Sequence, residues 1–233
     1  MIRGFYAATT GLITHQTKMD VIANNIANIN TTGFKPQQVS FSSLLYFNVN
    51  GGAANPIAVG HGVKPEKTDL NFSQGDLQRT DMALDFAILG DGFFALESIE
   101  GGGITYTRDG SFRFSSEGRR NYLTDAAGNY VLDSRQRRIE QGEKYEHSQI
   151  GVFNFKNPYG LIPVGGNQFR QSDISGRGES VKTPEIKVGY LESSSVKTAE
   201  EMVKMIEASK GFALSSRVLQ TADEMEKTVN QLR

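Results

Sequence analysis

Steps of three and four residues from Phe5 pick out Phe5, Ala8, Leu12, His15, Met19, Ile22, Ile26 and Ile29, and seven of these eight are apolar. A period of about 3.5 residues held over this length predicts an amphipathic helix with a narrow apolar stripe. Thr9, Thr14, Gln16, Lys18, Asp20, Asn24 and Asn28 make up the rest of its surface. The helix is expected to stop near residues 30–33, where Asn30 and Gly33 tolerate left-handed backbone and Pro36 drives Lys35 out of the helical region.

The far end of the chain repeats the pattern. Val218, Ala222, Met225, Val229 and Leu232 recur at steps of four and three, and Met202, Met205, Ile206, Phe212 and Leu219 widen the apolar face upstream. Thr198-Ala199-Glu200-Glu201 reads as a capping box, so a helix over 199–232 is expected, about 50 Å long at 1.5 Å per residue. Gly211 is its weak point, at about 1 kcal/mol relative to alanine. A lone amphipathic helix is marginal in water, so each stripe needs a cover. The two helices can pair as an antiparallel hairpin within one molecule, pack on other copies, or do both.

Between the ends the period falls to two. Of 25 glycines, 21 lie from Gly51 to Gly189. Ile104-Thr105-Tyr106-Thr107 and Phe112-Arg113-Phe114 alternate, and the Asp109-Gly110 pair between them predicts a tight hairpin. Tyr122-Leu123-Thr124 and Tyr130-Val131-Leu132 flank a second turn cluster over 125–129, and 93–96, 150–155 and 186–191 add further strands. The expected fold class is α+β, with N- and C-terminal helices paired in coiled-coil fashion around a central all-β domain. The expected divisions are 1–35 (first helix), 36–74 (extended linker and β-hairpin), 75–192 (β domain) and 193–233 (last helix).

Composition removes most chemistries. With 25 Lys+Arg against 26 Asp+Glu the chain lacks the basic surplus of a nucleic-acid binder. With no cysteine, disulfides, thiolate metal sites and thiol nucleophiles are excluded. His15, His61 and His147 lie in three separate segments, none with a second histidine at metal-ligand spacing. No nucleophile elbow, P-loop or dinucleotide fingerprint is present, and Gly60-His61-Gly62 and Gly90-Asp91-Gly92 read as turns. Asp76, Asp81, Asp85, Asp91 and Asp109 could supply a glycosidase pair, but their spacing fits turn and edge chemistry better. No catalytic, cofactor or metal residues are therefore expected. No window approaches the ~20 apolar residues of a membrane span, and the first thirty residues do not read as a cleaved signal peptide.

Ala23-Asn24-Asn25-Ile26-Ala27-Asn28-Ile29-Asn30-Thr31-Thr32-Gly33-Phe34-Lys35 resembles the signature of bacterial flagellar rod and hook axial proteins. Gly75-Asp76-Leu77, Gly90-Asp91-Gly92-Phe93-Phe94, Tyr106-Thr107-Arg108-Asp109-Gly110 and Thr221-Ala222-Asp223-Glu224-Met225 extend the resemblance along nearly the whole chain. It implies a non-enzymatic structural subunit of the basal-body rod, of the distal-rod type, stacked into a helical homopolymer by its terminal helices. A proximal-rod or hook-type subunit is the nearest alternative, and a cell-wall-directed hydrolase or glycan-binding module the alternative of another class. Implied partners are other copies, other rod proteins, hook-side axial proteins and the flagellar type III export apparatus, with no cofactor, nucleic acid or membrane insertion. The implied location is the rod that crosses the cell envelope. The expected assembly residues are Phe5, Leu12, Met19, Ile22, Asn24, Asn25, Ile26, Asn28, Thr32, Gly33 and Phe34 at one end. At the other they are Met202, Ile206, Phe212, Leu219, Ala222, Met225, Val229 and Leu232. Two positions depart from the family pattern: Ser195 stands where Asn is usual, making Thr198 the expected cap, and Gly211 interrupts the usual Gln-Arg-x-Tyr.

In the isolated subunit, residues 1–35 and 195–233 are expected to exchange amide hydrogens fast while the β domain stays protected. Hydrogen exchange followed by mass spectrometry checks this; slow exchange throughout would mean that the helices pair stably within one molecule.

Overall fold

Both stripes fold into helices, α1 (Ile2–Ala27) and α2 (Thr198–Gln231). The structure is a computed structural model that describes residues 2–49, 57–99, 101, 103–118, 120–141 and 150–232; His147 and residues 50–56 lie outside them. The described chain divides into two compact units.

The first unit comprises Met1–Ala27, Gln37–Leu70 and Lys197–Arg233. It holds α1, α2 and four strands: β1 (Gln37–Ser43), β2 (Tyr46–Val49), β3 (Ile57–Gly60) and β4 (Val63–Leu70). β1 and β4 pair antiparallel with Gln37 opposite Leu70, and the register slips once between Ser40 and Phe41. β2 and β3 pair antiparallel in the same unit. α1 meets α2 at three levels: Gly11 beside Ser215, His15 beside Gly211, and Asn25 hydrogen-bonded to Glu201. Along these levels one residue number rises as the other falls by the same amount, so the helices run antiparallel.

The second unit comprises Asn28–Pro36 and Asn71–Val196. Its strands are β5 (Leu77–Arg79), β6 (Phe86–Leu89), β7 (Phe93–Glu97), β8 (Ile104–Thr107), β9 (Arg113–Glu117), β10 (Arg120–Thr124), β11 (Tyr130–Val131), β12 (Val152–Asn154), β13 (Ile162–Gly165), β14 (Gln168–Arg170), β15 (Glu179–Ser180), β16 (Glu185–Val188) and β17 (Tyr190–Glu192). β7 is the centre of the largest sheet. It pairs along one edge with β8, while β12 and β11 share the other edge, and every pairing is antiparallel. Its Phe93, Phe94, Ala95 and Leu96 are all buried, which explains an unbroken apolar run where a half-exposed strand would alternate. Phe86 and Ile88 of β6 join Phe94, Leu96, Phe112, Leu123, Val131, Ile150 and Val152 in one core. The Phe112 ring meets Phe94 edge-on at 5.2 Å.

Several sequence expectations are corrected. α1 stops at Ala27, and Asn28 to Asn30 form a turn in which the Thr31 N–H donates to the Asn28 carbonyl at 3.2 Å. α2 has no capping box: Lys197 is the cap residue and makes no side-chain cap bond. Thr198 is already helical, and the Glu201 carboxylate is taken by Asn25 and Lys204. Asp109-Gly110 does not close a hairpin, because β8 pairs with β7 and β14 whereas β9 pairs with β10. Instead the Asp109 carboxylate accepts the Ser111 N–H at 3.0 Å, and the Gly110 carbonyl accepts the Phe86 N–H at 3.0 Å. The strand expected over 186–191 breaks into β16 and β17 at Gly189, whose φ is +76°. The turn over 125–129 forms as expected, with the Asp125 carboxylate accepting the Asn129 N–H at 2.8 Å and β10 pairing with β11.

A Cβ at Gly110 would collide with the Phe86 backbone carbonyl, and backbone cannot swing away as a flexible side chain can. Gly110→Ala is expected to destabilise the protein by about 3 kcal/mol or more, read as a lowered urea midpoint with unchanged slope.

Candidate assembly interface

Asn25 is the polar centre of the first unit. It is 1% exposed. Its Oδ1 accepts the Gln37 N–H at 2.9 Å while its Nδ2 donates to the Gln37 carbonyl at 2.8 Å, so the side-chain amide pairs with β1 as a strand would. The same Nδ2 donates to Glu201 Oε2 at 3.1 Å, and Lys204 donates to Glu201 Oε1 at 2.6 Å. One asparagine thereby joins α1, β1 and α2, and aspartate could not, since it has no N–H₂ to offer.

The antiparallel register selects which α1 residues face α2. Ala8, Gly11, His15, Lys18, Ile22 and Asn25 recur at steps of three and four, and all are buried or half-buried. The predicted Leu12, Met19 and Ile26 lie one residue away on the flank, half-buried, and Phe5 is exposed. Close approach explains the shift. A Cβ at Gly211 would sit 2.5 Å from the His15 ring, so the glycine that reads as a helix weak point is the hole into which the imidazole fits. Gly11 does the same for Ser215, whose Oγ lies 3.2 Å from the position of the missing Cβ.

α2 carries two faces. At about 100° per residue, Glu201, Met205, Ala208, Phe212, Ser215, Leu219 and Ala222 fall on one side and are buried or half-buried. Met202, Val203, Ile206 and Leu214 point away from that side and are exposed, Val218 is exposed on its flank, and Met225, Val229 and Leu232 are exposed past the level at which α1 begins. The single wide stripe expected from sequence is therefore divided into a part that α1 covers and a part that is exposed. Phe212, Leu219 and Ala222 belong to the covered part; Met202, Ile206, Met225, Val229 and Leu232 belong to the exposed part. On α1, Asn24, Tyr6 and Ile13 are also exposed.

The rest of the motif lies in the second unit, where Asn28, Thr32 and Phe34 are half-buried and Gly33 is buried. Gly33 has φ +65°, and a Cβ there would lie 2.7 Å from the Arg108 backbone, so two constraints demand glycine. Its N–H donates to the Glu192 carbonyl at 2.8 Å, and the Thr32 carbonyl accepts Asn167 Nδ2 at 2.8 Å. Lys35 is fully buried. Its Nζ donates to Glu192 Oε1 at 2.6 Å and to the Ser73 carbonyl at 2.7 Å. Glu192 Oε1 also accepts the Gly75 N–H at 2.9 Å, and Oε2 accepts Arg108 Nη1 at 3.2 Å. Burial pushes the Lys35 ammonium below its ordinary value, with the Glu192 carboxylate opposing the shift. The family motifs include Lys35 and Arg108, but nothing in the sequence pairs them or points to Glu192, which stands far along the chain.

The aspartates considered for catalysis have structural partners or lie in the open. Asp85 accepts Thr80 Oγ1 at 2.6 Å, Asp81 pairs with Arg79 at 2.6 Å, and Asp91 is exposed. Among the described residues no group of three His, Asp or Glu side chains is placed to hold a metal.

Removing Glu192 leaves two buried cations facing each other, whereas removing Lys35 leaves a neutral Arg108–Glu192 pair. Glu192→Gln is expected to cost about 3–5 kcal/mol, and Lys35→Met distinctly less. Urea unfolding of the two variants checks the order; equal losses would show that charge balance is not what the cluster supplies.

Comparison with known proteins agrees with this layout. Residues 5–35 match the family model "Flagella basal body rod protein", 87–157 match "Flagellar hook protein FlgE/F/G D1 domain", and 187–232 match "Flagellar basal body rod FlgEFG protein C-terminal". The chain is 34% identical to the flagellar basal-body rod protein FlgG of Buchnera aphidicola subsp. Baizongia pistaciae, with all of both chains covered. It is 32% identical to FlgG of Bacillus subtilis, again over all of both chains. It is 33% identical to the flagellar hook protein FlgE of Borreliella burgdorferi over 74% of this chain and 38% of that one. With helices at both ends, a β-rich middle and full-length identity of this order, the chain belongs to the flagellar basal-body rod protein family.

Proposed function

We propose that this chain is a distal-type structural subunit of the bacterial flagellar basal-body rod, and that its copies polymerise through the exposed helix faces of the first unit. The protein is a non-enzymatic component of the flagellum, and it assembles with other axial components. Full-length similarity to rod proteins, against coverage of 38% of the hook relative, favours a rod subunit over a hook subunit.

The second face of α2 carries the polymer reading. α1 covers one side of this helix over part of its length, yet eight large apolar side chains from Met202 to Leu232 remain exposed. So many exposed large apolar side chains on one helix mark a surface meant to be covered. In this reading α1 and α2 pair as a coiled-coil-like hairpin, the hairpin stacks on those of neighbouring copies, and Asn24 and Phe5 lie at the same contacts. The first unit serves as the assembly domain and the second as its body. Copies reach the rod through the flagellar type III export apparatus and meet other rod proteins and hook-side axial proteins at the ends of the stack.

The chain has no native cysteine, which makes the test clean. Cysteines at Ile13 and Val218, 58% and 51% exposed, are expected to give a ladder of multimers on oxidation in flagellated cells. A monomer-only pattern at full labelling would sink the polymer reading, and Leu214→Asp, added to the two cysteines, is expected to abolish both the ladder and motility.

A further inference from the structure

The second unit contains a cleft of about 500 Å³ whose walls include Phe72, Phe93, Phe155, Tyr159 and Arg108. The rings form a continuous set: Phe72 lies edge-on to Phe93 at 5.5 Å and to Tyr159 at 6.1 Å, and Phe93 meets Phe155 at 5.9 Å. Size and lining are those of sites for small organic molecules, which are mostly apolar with a few placed polar groups.

The polar group here is Arg108, and it is under-used. It is 3% exposed, its guanidinium stands over the Phe93 ring at 5.2 Å, and Nη1 reaches Glu192. Its Nε is buried and has no hydrogen-bond partner among the described residues. Glu192 is shared with Lys35, so this buried cluster holds two cations and one anion. An uncompensated positive charge in a buried cluster is costly, and a carboxylate in the cleft answers it. At the mouth, Asp91 and Lys156 are exposed and opposite in sign, so they leave the excess at Arg108 in place.

We propose that this cleft binds a carboxylate carried on an aromatic or apolar body, with the body among the rings and the carboxylate on the Arg108 guanidinium. The carboxylate comes either from a free organic acid or from an acidic side chain beside an apolar residue on a second copy of the chain.

Benzoate is the probe, and benzyl alcohol is its neutral counterpart. Titrated into dilute full-length protein and followed by amide chemical shifts, benzoate is expected to saturate with a Kd of about 1 mM. Benzyl alcohol should bind at least about tenfold more weakly, because it offers no charge to the guanidinium. Arg108→Lys is expected to weaken benzoate at least about tenfold, since an ammonium cannot present the planar fork. Because that variant also touches the buried cluster, Tyr159→Ala supplies the second arm: Tyr159 is 68% exposed, and its loss should weaken benzoate several-fold in a fully folded protein. Absence of saturation, equal binding of benzyl alcohol, or unchanged affinity in both variants would overturn the proposal. Dilution keeps the titration independent of polymerisation. Sedimentation at rising protein concentration separates the sources: benzoate lowers self-association if a second copy supplies the carboxylate, and leaves it unchanged if the ligand is a free acid.

Discussion

One carboxylate organises the part of the molecule where the chain passes from one unit to the other. The chain changes unit after residues 27, 36, 70 and 196, and the stretches of the second unit beside the last three of these points meet at Glu192. Its side chain holds Lys35, the Gly75 N–H and Arg108, while its backbone carbonyl holds the Gly33 N–H. The Asn71 N–H on the Pro36 carbonyl and the Ser195 N–H on the Phe34 carbonyl add to the same knot. A buried charge of this kind is a poor source of net stability, because desolvation offsets most of the attraction. Misplacing any one of these segments would strand an ion in an apolar interior, which counts against other threadings.

Asn25 plays the corresponding part in the first unit with neutral chemistry. A side-chain amide that pairs with both backbone groups of Gln37 fixes the start of β1 against α1, and its remaining N–H fixes Glu201 of α2. Around it the helices approach wherever a side chain is missing, at Gly11 and Gly211. The seam is thus narrow, small and partly polar. Met202, Val203, Ile206 and Leu214 of α2 are left pointing away from that seam, on the face that the proposed contact with a neighbouring copy uses.

Much of this was legible in the residue order. The helical period, the change to alternation near Gly75 and the buried run through Phe93 and Phe94 all report local geometry, and local geometry is what periodicity encodes. The motif over 23–35 carried the family, but the roles of its members were not readable from it. Asn25, Gly33 and Lys35 each act on a residue far along the chain: Glu201, Arg108 and Glu192. The Asp109-Gly110 pair misled because it has the composition of a hairpin turn while its glycine answers a different demand, close backbone contact with Phe86. The capping box misled for a similar reason, since Asn25 and Lys204 outcompete the helix terminus for Glu201.

What the sequence determined by itself is the alphabet of elements: two long helices, a glycine-punctuated β middle, an absence of thiol chemistry, and membership in an axial family. The tertiary structure decided which side of each helix is spent inside the molecule and which is left over. A helix of 3.6 residues per turn can present several stripes, and sequence alone does not say which of them a partner will cover. That choice is made by contacts between distant residues, His15 filling the space that Gly211 leaves and Asn25 bridging to Glu201, and it is those contacts that leave Met202, Val203, Ile206 and Leu214 exposed, while Met225, Val229 and Leu232 lie past the start of α1.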